Sequence, residues 1–264
     1  MAFIQKKLDQ YNDWYSQLKE QGASFTVQET SYTRRIKTGK NQILFSDSPI
    51  NPIELKLINL IRSSANTFEA PTLEEAPPQI EFYKYYDFSD KISFDGVKID
   101  LSEAYWRTAI NIGLVTPEIQ AYFIENKKRI GTDKMVKMAR LRALGALATK
   151  KNLKVFEDGI LMDEQIIVNE PHRQLYLYIC EQVAEVMHEL ACEFMEHVRY
   201  YYWDCIFLES TVDIDTIQNR IKSLGYESKV EGKGRFEVIK GSYMCYLEDK
   251  KTGVRYPVKK SDLV

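Results

Sequence analysis

The stretch Tyr200–Glu209, YYYWDCIFLE, decides how the chain is read. Three tyrosines and a tryptophan lead into Cys205-Ile206-Phe207-Leu208, a run apolar enough to predict a β-strand buried on both faces. One carboxylate, Asp204, stands in its middle. A buried charge without a partner is costly, so the strand demands a cation, a hydrogen-bond donor or a proton beside Asp204.

The search for that partner leads upstream to GVKIDLSEAY, residues 96–105. The apolar strand Gly96-Val97-Lys98-Ile99 ends at Asp100, and a helical period takes over beyond Ser102. Two carboxylates at the ends of neighbouring strands repel each other unless they share a divalent cation. Mg²⁺ accepts one or two carboxylates and completes its shell with substrate phosphates. Plainer readings stand beside this one. Asp100 at a strand-to-helix junction suits an N-cap, and Asp204 suits a core carboxylate bonded to a nearby Lys or Arg.

Bulk properties fit a soluble globular protein. The chain has 264 residues, 44% of them hydrophobic and 28% charged, and a net charge of −2 that by itself announces no nucleic-acid binder. Cys180, Cys192, Cys205 and Cys245 show neither a CxxC pair nor zinc spacing and read as reduced, inert thiols. The N-terminus lacks a signal-peptide run and no long apolar stretch occurs, so a cytoplasmic protein without membrane partners is expected.

The expected organisation is α+β, a mostly antiparallel sheet backed by long helices, with a small N-terminal α+β region. That region covers 1–70: a helix over 2–21, a hairpin turning at Thr38-Gly39-Lys40, and a helix opened by Asn51-Pro52. The Pro- and Glu-rich segment 71–80 reads as a linker before a larger domain, 81–264. Within it IEFYKYYDF and KISFDGVKIDL are strand-like, with Asp95-Gly96 as the turn between strands. Helices follow at AYWRTAINIGL, at TPEIQAYFIENKKRIG with Thr116 as N-cap, and at the basic segment TDKMVKMARLRALGALATKK. A hairpin turning at Asp158-Gly159, a long helix from Glu170 and the Asp204 strand come next. A short helix and two C-terminal strands complete the chain.

Taken together, these residues resemble a family. DLSEAY at 100–105 resembles the first catalytic motif of B-family DNA polymerases, Asp-x-x-Ser-Leu-Tyr, with Glu103 and Ala104 in place of Ser and Leu. DCIF at 204–207 is similar to the Asp-Ser-Ile-Phe end of the third motif, with Tyr202 where the family carries an upstream Asp. KMARLRALG at 137–145 keeps the Lys and Gly spacing of the second motif, and KKTGVRYP at 250–257 is similar to the Lys-x-Tyr element that follows the palm. The resemblance covers roughly residues 92–260 and implies a polymerase-palm-like domain without room for an exonuclease.

It further implies template-directed nucleotidyl transfer on a DNA primer-template with dNTPs, in a priming, gap-filling or accessory role. Other replication proteins would be partners, and a phage or mobile element in a bacterial host the setting. Asp100 and Asp204 would hold Mg²⁺ (or Mn²⁺), Lys137 would meet the triphosphate with Arg140 as helper, and Tyr105 would stack under the sugar. The basic hairpin Arg34, Arg35 and Lys37, with Lys251 and Arg255, would grip the nucleic-acid backbone. Two other readings remain open: a non-catalytic palm-derived module that binds nucleic acid or protein, and an unrelated α+β structural protein.

On the basic segment, Lys134, Lys137 and Arg140 are expected on one side and Met135, Met138, Leu141 and Leu144 on another. His172, His188 and His197 are not at ligand spacing and read as surface or cap residues. GKGR at 232–235 lacks a phosphate loop's setting and reads as a turn.

Overall fold

The computed structural model describes residues 2–30, 33–46, 51–68, 91–239, 244–248 and 255–258. Among them the chain is α+β, with seven helices and two antiparallel sheets. The first half runs α1 (Ala2–Glu20), β1 (Thr26–Glu29), β2 (Thr33–Thr38), β3 (Asn41–Ser46), α2 (Pro52–Ala65), β4 (Lys91–Ser102), α3 (Ala104–Asn111), α4 (Pro117–Ile130) and α5 (Asp133–Gly145). The second half runs β5 (Lys151–Glu157), β6 (Ile160–Ile167), α6 (Glu170–Glu193), β7 (Val198–Tyr202), β8 (Cys205–Glu209), α7 (Ile214–Ser223), β9 (Glu227–Ile239), β10 (Met244–Glu248) and β11 (Arg255–Val258). The chain divides into two compact units, residues 1–63 with 122–173 and residues 64–121 with 174–264. The expected linker, 71–80, and the expected strand IEFYKYYDF, 80–88, lie outside the described residues.

In the first unit the sheet order is β3-β2-β1-β5-β6, so β1 joins the N-terminal hairpin to a hairpin more than a hundred residues away in sequence. Tyr11 and Leu18 of α1 pack on Phe25, Val27 and Ile36, a small core built from one helix stripe and one sheet face. The β5–β6 turn is Asp158-Gly159, both residues at positive φ (51° and 86°), as a primed two-residue turn requires. β6 is exposed along its whole length. Helix α5 is capped by Thr132, whose hydroxyl accepts from the Met135 N–H.

The faces of α5 differ from expectation. Val136, Ala139, Arg140, Ala143 and Leu144 are buried, whereas Met135, Met138 and Leu141 are exposed. Two alanines on the inner face let the helix approach its neighbours closely, which a stripe of methionines would prevent.

In the second unit the sheet order is β11-β10-β9-β4-β8-β7. Its four strands β9-β4-β8-β7 follow a β-α-β-β-α-β path, β4-α6-β7-β8-α7-β9, with β4 flanked by β8 and β9: a split β-α-β arrangement. Val97, Ile99 and Leu101 alternate onto one face with Ile206 and Leu208. There they meet Val183, Met187, Leu190 and Ala191 of α6 and Ile217 and Ile221 of α7. Each fully buried aliphatic side chain of that layer contributes about 2 kcal/mol. Phe94, Lys98, Asp100, Cys205, Phe207 and Phe236 alternate onto the other face, where Phe207 meets Phe236 edge-on with centroids 5.3 Å apart.

Three expectations for this sheet are corrected. YYYWDCIFLE is two strands: β7 ends at Tyr202, Trp203-Asp204 forms the turn, and β8 begins at Cys205. The turn is hidden because Trp203 (φ 52°) takes a left-handed position that usually marks itself with Gly or Asn. Asp95-Gly96 makes no turn, since β4 runs unbroken through it. Gly96 is there for close approach: a Cβ on it would lie 2.2 Å from the Leu208 carbonyl oxygen of β8. GKGR makes no turn either and lies inside β9. Its small residues pass opposite Gly96 and Lys98, just beyond a β-bulge at Glu231.

Candidate functional site

Asp100 lies two residues before the end of β4, directly opposite Cys205 of β8 and Lys229 of β9. It is not an N-cap. Glu103, at φ 59°, takes that position before α3 and makes no side-chain cap bond. Asp204 is brought alongside by the β7–β8 turn, and its carbonyl accepts from the Leu101 N–H at 2.8 Å. Adjacent strands thus place the two acids at one end of the sheet.

The electrostatics follow from that placement. The Asp100 side chain is only 17% exposed. Burial, then the neighbouring charge of Asp204 and that of Glu231, push its carboxyl up to about 7, against the opposing pull of Lys229 and Lys98. The Lys229 Nζ stands 3.4 Å from Asp100 Oδ2 and 2.5 Å from Glu231 Oε1. Behind it Lys98, 3% exposed, donates to Glu231 Oε2 at 2.7 Å and lies over the Phe207 ring. Burial alone would raise Glu231; its bonds to Lys229 and Lys98 hold it below the usual carboxylate range. The Cys205 thiol is completely buried and pushed far up, hence inert.

The bulge explains how Glu231 reaches two lysines. Lys98 is paired with Gly232 and Ile99 with Val230, so Glu231 has no opposite number on β4 and its side chain is re-aimed. Lys98, Lys229 and Glu231 went unrecognised in the sequence. The available signal was Lys98 itself, a lysine between the buried Val97 and Ile99.

The other expected site residues are more dispersed. Tyr105, on α3, is partly buried against the apolar layer of Ile99 and Leu101, the sheet face opposite Asp100. Lys137 and Arg140 belong to the first unit. Lys137 is exposed, while Arg140 is buried with its guanidinium over the Phe123 ring at 5.3 Å. Arg34 pairs with Glu29 and lies over Tyr11, and Arg35 and Lys37 share an exposed face of β2. Lys251 lies outside the described residues, and Arg255 is known only by its register opposite Glu248. Among the histidines, His172 is buried rather than superficial, and burial and Arg62 lower its affinity for a proton. Cys192 is exposed, unlike the buried Cys180 and Cys205.

Mg²⁺ needs only one or two protein carboxylates when phosphate and water fill its other positions, and Asp100 with Asp204 meets that minimum. Among the described residues no group of three or more His, Cys, Asp or Glu is arranged to hold a metal ion. No helix among them is long and apolar enough to cross a membrane. No family model matches this chain, and no curated protein does.

Proposed function

We propose that the chain is a compact, B-family-like nucleotidyl transferase that extends a DNA primer on a template, with Asp100 and Asp204 as the carboxylates that hold Mg²⁺ or Mn²⁺. One observation carries the reading. Asp100, near the end of β4, and Asp204, in the turn that leads into the neighbouring β8, lie close enough to interact, and Asp100 is pushed up to about 7 by burial and by the charge of Asp204. Such a pair is relieved by a cation more effectively than by water. Bound there, a divalent ion would activate the primer's 3′-hydroxyl and neutralise the departing pyrophosphate.

The protein's own contribution is placement. The β4–β8 ladder holds Asp100, the turn into β8 carries Asp204, Gly96 lets those strands close, and the Lys98–Glu231–Lys229 chain keeps positive charge beside Asp100. Arg35 and Lys37, exposed on β2 of the first unit, are the proposed contacts for the nucleic-acid backbone. The cytoplasm of a bacterial or phage-infected cell is the proposed setting.

Primer extension by the purified chain with Mg²⁺ or Mn²⁺ and four dNTPs tests this. Extension that disappears in Asp204→Asn and Asp100→Asn is expected; absence of extension by the unaltered chain sinks the enzymatic reading. A second reading, a non-catalytic palm-derived binding module, draws on Lys229 already pairing with Asp100. DNA binding without extension would favour it.

A further inference from the structure

We infer that Lys229 is a resident counter-ion which occupies the cation position at Asp100 and yields it to a divalent ion by withdrawing onto Glu231. This rests on the metal-holding role proposed above for Asp100 and Asp204. Lys229 is the cross-strand partner of Asp100, and its Nζ is shared between two carboxylates: 3.4 Å from Asp100 and 2.5 Å from Glu231. The shorter contact is to the residue outside the proposed metal pair. Leaving Asp100 therefore costs Lys229 one of its two partners and leaves the closer one in place.

Three features make the exchange physically reasonable. The Lys229 side chain is 54% exposed and attached by a flexible stem, whereas Asp100 is 17% exposed and fixed in the ladder. Glu231 is anchored independently by Lys98, which is 3% exposed and holds it at 2.7 Å, so the withdrawn lysine always finds an ionised acceptor. The bulge that frees Glu231 from strand pairing aims it at both lysines. An ammonium and a divalent ion cannot lie against the same carboxylate oxygens. Lys229 thus weakens binding of bare metal and favours metal that arrives with a triphosphate, whose negative charge also attracts the displaced lysine.

The test is Mn²⁺ binding alone, read from the free-ion electron paramagnetic resonance signal, for the full chain and for Lys229→Gln and Lys229→Arg. Both substitutions sit on an exposed side chain and leave Lys98, which is buried, to hold Glu231. Lys229→Gln is expected to bind Mn²⁺ at least about tenfold more tightly than the unaltered chain, from removal of a cation within a few ångström of the site. Lys229→Arg, keeping the charge, should bind about as the unaltered chain does. Equal or weaker binding by Lys229→Gln overturns the inference, as does absence of Mn²⁺ binding by all three proteins. Primer extension by the unaltered chain is scored separately. Extension with unchanged Lys229→Gln binding defeats only the role of Lys229, and tighter binding without extension defeats only the polymerase reading.

Discussion

Among the described residues, two of the two-residue hairpin turns begin with a residue other than glycine in the left-handed region. Asp158 has φ 51° and Trp203 has φ 52°. At Asp158-Gly159 local chemistry favours the turn, since Asp tolerates that conformation and Gly prefers it; a distant residue adds to it, the Phe25 N–H donating to Asp158 Oδ1 at 3.0 Å. At Trp203-Asp204 nothing local favours it. A tryptophan held there costs about 1–3 kcal/mol, which the surroundings must offset. They do so through the Leu101-to-Asp204 backbone bond and the buried Tyr201 and Cys205 on either side. The first turn is favoured by its own residues and carries no proposed chemistry; the second depends on its neighbours and carries an acid. Backbone strain retained beside a candidate site is what a placement requirement leaves behind.

That contrast can be broken at its base by Gly96→Ala. The added methyl meets a backbone oxygen, so β8 must move away from β4; a loss of about 3 kcal/mol in urea unfolding followed by circular dichroism is expected, with loss of Mn²⁺ binding. The same substitution in both turns sharpens it. Trp203→Val and Asp158→Val each force a β-branched residue toward positive φ and should each cost about 2 kcal/mol. Only Trp203→Val should also weaken Mn²⁺ binding; equal effects of the two on metal would remove the distinction.

The smallest effect is one of pH. Asp100 rises from its ordinary 3.8 to about 7, so the fold binds its proton more tightly than the unfolded chain does. Its stabilising contribution is complete below about 3.8 and is lost as pH climbs through about 7. Asp100→Asn should therefore flatten stability between those limits and leave the protein about 1 kcal/mol more stable than the unaltered chain at pH 8. A divalent ion should stabilise the unaltered chain more at pH 8 than at pH 5.

Local signals made much of this legible. Helix starts at Thr116 and Thr132, the Asp158-Gly159 turn and the α+β class all follow from short-range chemistry. What stayed hidden was decided at long range. Gly96 read as a turn residue because its reason, the Leu208 carbonyl, is a hundred residues away. GKGR read as a turn because its small residues answer to β4, and Trp203 concealed a turn because packing overrides its preference. Lys98 and Glu231 found each other only through a bulge, which no periodicity announces.

The split order of the second sheet has a consequence for how the protein is made. β4 emerges early in synthesis, but both strands that flank it, 205–209 and 227–239, follow far behind. Until residue 239 has left the ribosome, Lys98 lacks Glu231 and one edge of β4 lacks its ladder, a distant closure that slows folding and exposes apolar strand to other chains. Asp100 is thus among the first parts of the site to be translated, and Lys229, its cross-strand counter-ion, is among the last.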